Sequence, residues 1–139
     1  MRVVFDTNIL VAAARSKLGA SFRLLSLLPS PKFELVLSLP LYMEYRDVLM
    51  RSAVRLAGVS DTDVSDFIDE IVKHAQTQNI YFLWRGWLKD KKDDMILELA
   101  IASQAEYIVT FNLKDFANIE LFGIKAIAPK DFLNLLEKL

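Results

Sequence analysis

The residues best able to do chemistry in this chain are carboxylates, and each follows or opens a recognisable structural run. Asp6 follows RVVF, and Glu44 follows FELVLSLP. Asp93 and Asp94 open an apolar helical stretch, and Asp115, with Thr110 and Asn112 before it, follows the run EYIV. Any one of these is explained well enough as a helix cap or a partner of the helix dipole. Their convergence on one edge of a sheet is harder to explain that way, because unpaired carboxylates repel and raise each other's pKa. A divalent cation removes the conflict. There is no cysteine and a single histidine, His74, whose only possible co-ligand at helical spacing is Glu70. A dipole or surface role therefore suits His74 better than catalysis. Oxygen-only ligands select a hard ion, Mg²⁺ or Mn²⁺ rather than Zn²⁺. Such an ion generates a hydroxide nucleophile and clamps the oxygens of a phosphodiester during in-line displacement. Phosphodiester hydrolysis is the leading chemistry on the residues alone.

These acids need strands to end, and helices to begin, at one edge. Residues 2–5 read as a buried strand running through Asp6-Thr7-Asn8 into an apolar helix at 9–14. Residues 21–28 suggest a second short helix, closed by Pro29-Ser30-Pro31. A second strand over 33–39 is followed by Pro40, which opens a helix over 41–56 with Glu44 in its first turn. Ser60-Asp61-Thr62-Asp63 caps the next helix, whose apolar residues recur at helical spacing. Residues 79–84 (NIYFLW) read as a third strand. A helix over 93–103, a strand over 107–111, a short strand over 124–128 and a terminal helix over 130–138 complete the order. Alternation of strands and helices predicts an α/β fold with a mainly parallel sheet of about five strands. Ligands of such sheets bind outside the carboxyl ends of the strands, where Asp6 falls.

Composition supports one domain over residues 1–139, the size of an ordinary core. Hydrophobic residues form 53% of the chain and Gly and Pro number four each, which argues against disorder. No apolar run approaches the ~20 residues that span a bilayer, and Asp6 and Asn8 interrupt any signal-peptide pattern. A cytoplasmic protein with no membrane association is expected. The net charge of −1 advertises no nucleic-acid footprint, although a local basic rim can coexist with an acidic site.

Four segments, VVFDTNILVAA, LPLYMEYRDVLMR, DKKDDMILELAIASQAEYIVTFNLKDF and IAPKDFL, resemble those of PIN domains in order and across nearly the whole chain. Within that family the likeness is to the toxins of VapC-type toxin–antitoxin pairs. The resemblance implies a three-layer sandwich and a Mg²⁺- or Mn²⁺-dependent endoribonuclease cutting single-stranded RNA. It also implies a homodimer and a cognate antitoxin protein that covers the acidic groove. By motif, Asp6 would be the first metal ligand, supported by Asn8, and Glu44 the second acid. The third acid is Asp93 or Asp94. Asp93 is favoured because it lies above the buried stripe of Ile96, Leu97 and Ala100, while Asp94 shares a polar face with Glu98. Glu98 is then a supporting or solvent-facing acid.

Asn112 departs from the commoner Asp of the family. It can position a ligand but contributes no charge, so a fourth acidic ligand would have to be Asp115. Thr110 is placed to hydrogen-bond an acid or an attacking water. Substrate contacts are unspecified. Arg15, Lys17, Arg46, Arg51, Lys91, Lys92 and Lys114 flank the motifs. Trp84 and Trp87 could stack bases, although Trp more often serves a core or dimer interface. A phosphoacceptor signalling domain fits poorly, because Asp6 is followed by Thr-Asn and residues 79–84 end without an acid. A catalytically weak PIN-like module that binds RNA or protein is the stronger alternative.

Overall fold

The structure, a computed structural model, describes residues 1–51, 55–80 and 87–139. The strands β1 (Arg2–Phe5), β2 (Glu34–Leu37), β3 (Gln76–Thr77), β4 (Tyr107–Val109) and β5 (Lys125–Ile127) form one sheet in the order β3-β2-β1-β4-β5. Every pairing is parallel. The three inner strands read RVVF, ELVL and YIV, with no internal alternation. That is the pattern of a parallel strand covered on both faces.

The helices are α1 (Thr7–Arg15), α2 (Ala20–Ser26), α3 (Leu39–Leu49), α4 (Asp61–Lys73), α5 (Lys91–Ser103) and α6 (Pro129–Glu137). From β1 through β2 to β3 the chain steps one way across the sheet; from β3 it returns over β2 and β1 to β4. Right-handed crossovers then put α1 to α4 on one face and α5 on the other. Consistently, α5 lies against β1, β2 and β4, while α2 packs on α1 and α6. The three-layer α/β sandwich follows. On the α6 side, Phe33 meets Phe5 at 6.2 Å and Phe132 at 5.4 Å, and Tyr107 meets Phe132 at 5.8 Å. These rings fasten α6 to the sheet.

Three expectations need correction. The third strand is Gln76–Thr77, paired with Val36 and Leu37. Asn79 and Ile80 carry no strand, and residues 81–84 lie outside the described residues. The reason is connection length: α4 ends at Lys73, and a short turn already brings Gln76 alongside β2. Tertiary pairing there outweighs the higher β-propensity downstream. Second, α3 begins at Leu39, where the Ser38 hydroxyl accepts from the Leu41 amide at 3.2 Å. Glu44 therefore sits in the second turn rather than the first.

The third correction concerns α5, which is buried nearly all round. Ile96, Leu97, Leu99 and Ala100 are inaccessible, and so are Asp94 and Glu98 at 6% exposure each. Glu98 is thus not solvent-facing, and Asp94 does not lie on a wet polar face. A helix enclosed on all sides has no such face. Its ends are well capped: Asp90 Oδ1 accepts from the Lys92 amide at 2.8 Å, and Gln104 closes the helix in the left-handed conformation. Among the described residues no helix is long and apolar enough to cross a membrane.

Candidate active site at the switch between β1 and β4

Neighbouring strands β1 and β4 feed their connections in opposite directions across the sheet, which opens a crevice at their carboxyl ends. The ladder pairs Phe5 with Val109, so the next residues, Asp6 and Thr110, leave the sheet side by side. The Asp6 amide donates to the Val109 carbonyl at 2.9 Å, and the Thr110 hydroxyl donates to Asp6 Oδ2 at 2.7 Å. Thr110 is fully buried and Asp6 nearly so. The Thr110 oxygen in turn accepts from the Asn112 amide at 3.0 Å and, at the long limit of 3.5 Å, from Asn8 Nδ2. Asn8 Oδ1 takes the Phe111 amide, also at 3.5 Å. The residues read as supporting, Asn8, Thr110 and Asn112, therefore form one network around Asp6. In it Asn112 acts through its backbone.

Asp6 stands at the N-cap of α1 without making a side-chain cap bond. Burial raises its pKa, against the lowering effect of the Thr110 hydroxyl and the Thr7 and Asn8 amides, and the charge of Asp115 raises it further. Beneath it, the hydroxyl of fully buried Tyr45 donates to the Phe5 carbonyl. Burial, and secondarily the Asp6 charge, pushes that phenol well above its usual range. Sequence reasoning missed Tyr45.

Asp93, half-buried in the first turn of α5, is raised to about 7. Burial is the largest cause, followed by the charges of Asp6, Asp90, Asp115 and Asp94. Of the four acids expected together, Asp6, Asp93 and Asp115 are linked electrostatically and Glu44 is not among them; exposed Asp115 stands on the 3₁₀ turn Leu113–Phe116. Asp94 does different work: its Oδ1 accepts from the Leu88 amide at 2.7 Å, tying the segment before α5 to the helix.

Glu44, expected to converge with Asp6 and Asp93, meets a cation of α5, Lys92 Nζ at 3.3 Å. Among the described residues, no three acids or histidines stand close enough to form a ready-made metal cage. The donor chemistry nevertheless suits a hard cation. Asp6, Glu44, Asp93 and Asp115 offer carboxylate oxygens, and Asp93 is raised first by burial and then by the negative charge around it. His74 closes α4 and pairs with Glu70 at 3.3 Å, well away from these acids in the chain.

Asp93 and Asp115 open onto a cleft of about 440 Å³ lined also by Trp87, Leu88, Lys89, Asp90, Lys114 and Ala117. A larger cavity of about 620 Å³ between α2 and α6 contains Glu137 as its only acid. Two of the acids expected to do chemistry, Asp93 and Asp115, line the smaller cleft, and none of them lines the larger one. Of the flanking cations considered above, Arg51 is engaged by Asp47 and Lys92 by Glu44, while Lys114 lines the cleft. Trp84 lies outside the described residues.

No curated protein matches the sequence. The fold is similar to that of a chain in the VapBC2 complex of Rickettsia felis bound to a DNA fragment from its promoter. That match has a TM-score of 0.65 and 18% identity and covers 92% of this chain and 98% of that one. It is similar also to a chain of VapBC-1 from nontypeable Haemophilus influenzae, with a TM-score of 0.57, 15% identity and coverage of 94% and 99%. A family model described as PIN domain matches residues 2–114, which hold Asp6, Glu44, Asp93 and the Asp6–Thr110 network. This chain belongs to the PIN domain family.

Proposed function

We propose that this protein is a divalent-metal-dependent endoribonuclease that hydrolyses single-stranded RNA, and that it is the toxin of a VapC-type toxin–antitoxin pair. PIN domains are a family of nucleases, which supplies the reaction class. The observation that carries the metal-dependent reading is Asp93. Its carboxyl is raised to about 7 by burial and by the charges of Asp6, Asp90, Asp115 and Asp94. Such an arrangement is unfavourable in the absence of a cation and suits a site that binds one.

Asp6 and Asp93 would hold Mg²⁺ or Mn²⁺, with Asp115 as a further acid and Glu44 available once it leaves Lys92. When bound, the ion supplies an activated water and neutralises charge on the phosphate. The chain's own residues do the positioning. Thr110 fixes one oxygen of Asp6, Asn8 and the Asn112 amide hold Thr110, and Tyr45 steadies the strand end below.

The antitoxin proposal draws on the likeness to chains solved within VapBC complexes. A homodimer is proposed with it, to be checked by sedimentation of the purified protein. A second reading, a binding module with weak catalysis, is favoured by the Glu44–Lys92 ion pair, which occupies one of the acids. Incubation of a single-stranded RNA with Mn²⁺, and then with excess chelator, separates the two. The nuclease reading expects cleavage that stops with the chelator and with Asp6→Asn; cleavage indifferent to both would sink it.

A further inference from the structure

We propose that Trp87 is a nucleobase-stacking platform, which receives a base of the single-stranded substrate beside the acids while Lys89 and Lys114 hold the adjoining phosphates. This rests on the nuclease reading above and adds to it a subsite of defined chemistry.

Trp87 is 44% exposed, which is costly for the largest apolar side chain unless something covers it in use. Its placement is fixed from two sides. Its ring stands nearly perpendicular to that of Phe122, at 75° with centroids 5.1 Å apart. A perpendicular contact can cover at most one face of the indole. The next residue, Leu88, donates its amide to Asp94 Oδ1, the neighbour of Asp93 on α5. The indole is therefore anchored to the helix that carries the central acid.

The cleft that Trp87 lines has Asp90, Asp93 and Asp115 in its wall together with the exposed lysines Lys89 and Lys114. An aromatic face flanked by cations is the combination that binds single-stranded nucleic acid: the base stacks and the backbone is neutralised. At about 440 Å³ the cleft falls within the roughly 300–1,000 Å³ typical of small-molecule sites, with room for a base and its phosphate. A protein segment would also bury the indole. The lysine pair beside a phosphodiester-cutting acid cluster favours a polyanion, and a base continues directly from the phosphate being cut.

The test uses a Trp84→Phe background, in which Trp87 is the only tryptophan, and a short single-stranded RNA in Ca²⁺ to hold off cleavage. Stacking predicts quenching of Trp87 emission as RNA is added. Quenching should be lost when an abasic ribose replaces the base at one position of the oligonucleotide but not at others. In Mn²⁺, Trp87→Ala should lower cleavage efficiency roughly 5- to 100-fold, mostly through KM, with Trp87→Phe recovering most of the loss. A circular dichroism spectrum and melt matching the parent protein exclude misfolding. Absence of quenching, or an abasic scan with no position dependence, overturns the stacking proposal even if cleavage is vigorous. Quenching with position dependence but no cleavage would retain the platform and remove the nuclease reading.

Discussion

The two halves of the acidic crevice are built on different principles. On the strand side, Asp6 is buried, takes the Thr110 hydroxyl at 2.7 Å, and is surrounded by a closed network through Asn8 and the Asn112 amide. On the helix side, Asp93 is half-buried, and its carboxyl is raised first by that burial and then by the charges of Asp6, Asp90, Asp115 and Asp94. Hydrogen bonds fix direction, whereas repulsion fixes none but stores a demand for positive charge. One half orients; the other attracts. A site of this kind can keep its geometry without a cation and still bind one strongly.

If both halves hold the same ion, removing a carboxylate from either should cost about the same. Asp6→Asn and Asp93→Asn are each expected to lower single-turnover RNA cleavage by about 10³-fold, corresponding to several kcal/mol of lost charge stabilisation. Asp94→Asn retains an acceptor for the Leu88 amide and should cost less than about 10-fold. A reversal between positions 93 and 94 would show that the buried member of the pair is the ligand. It would also break the division drawn here.

The stored repulsion on the helix side should be visible in stability without any substrate. In metal-free protein Asp93 keeps its proton up to about pH 7, while in the unfolded chain it loses it near 3.8. Between those values the folded state binds more protons than the unfolded one, so this contribution is fully present below about pH 4. It is lost as pH rises to about 7. Raised Asp6 adds in the same direction. Thermal melts in chelator should therefore fall across this window relative to Asp93→Asn, a comparison that cancels the opposite contribution of Asp63, lowered by its cap with Ser60. Mn²⁺ at 100 times its Kd should restore about 2.7 kcal/mol at neutral pH and much less in Asp93→Asn. Melts that rise with pH relative to the variant would contradict the assignment.

The strand side is probed through Thr110, whose hydroxyl touches Asp6 rather than the substrate. Thr110→Val keeps the volume and removes the bond, and should reduce cleavage about 10- to 100-fold, the usual cost of losing a ligand's supporting partner. Because its role is positioning, the loss should appear as weakened Mn²⁺ dependence and be rescued by Thr110→Ser. An unchanged metal titration would leave Thr110 a merely structural residue.

Much of this was legible in the sequence, for reasons tied to particular residues. RVVF followed by DTN marks a parallel strand feeding a helix, and Thr110, one residue past β4, reads as a partner of an acid or a water, though not of Asp6 in particular. The preference for Asp93 over Asp94 rests on its spacing to Ile96, Leu97 and Ala100 and is tested by the paired substitutions above. The polar face assigned to Asp94 and Glu98 is not a wet one, so the solvent-facing alternative for Glu98 fails: helical periodicity assumes one wet face, and α5 has none in its middle. The third strand failed because an edge strand needs only a partner within reach, and Gln76 and Thr77 carry no β-branched run to advertise it. The Tyr45 hydroxyl under Phe5 and the Lys92 partner of Glu44 are contacts between segments far apart in sequence. No local pattern encodes them.

The smallest effect should come from the position where the chain departs from the common acidic form of its family. Asn112 contributes its backbone amide to Thr110, and its side chain is exposed, so the missing charge at that point is not restored locally. Asp115, one 3₁₀ turn further on, raises both Asp6 and Asp93 and so delivers negative charge to both halves from a solvent-exposed position. Solvent screens such a charge, which limits its weight to that of an exposed ion pair, about 0–1 kcal/mol. Asp115→Asn should accordingly weaken Mn²⁺ binding by about 5-fold or less and lower the Asp93 pKa, shifting the acid limb of the pH–rate profile downward. A loss as large as that of Asp93→Asn would mean that Asp115 is itself a direct ligand, and the two halves would then share three carboxylates rather than two.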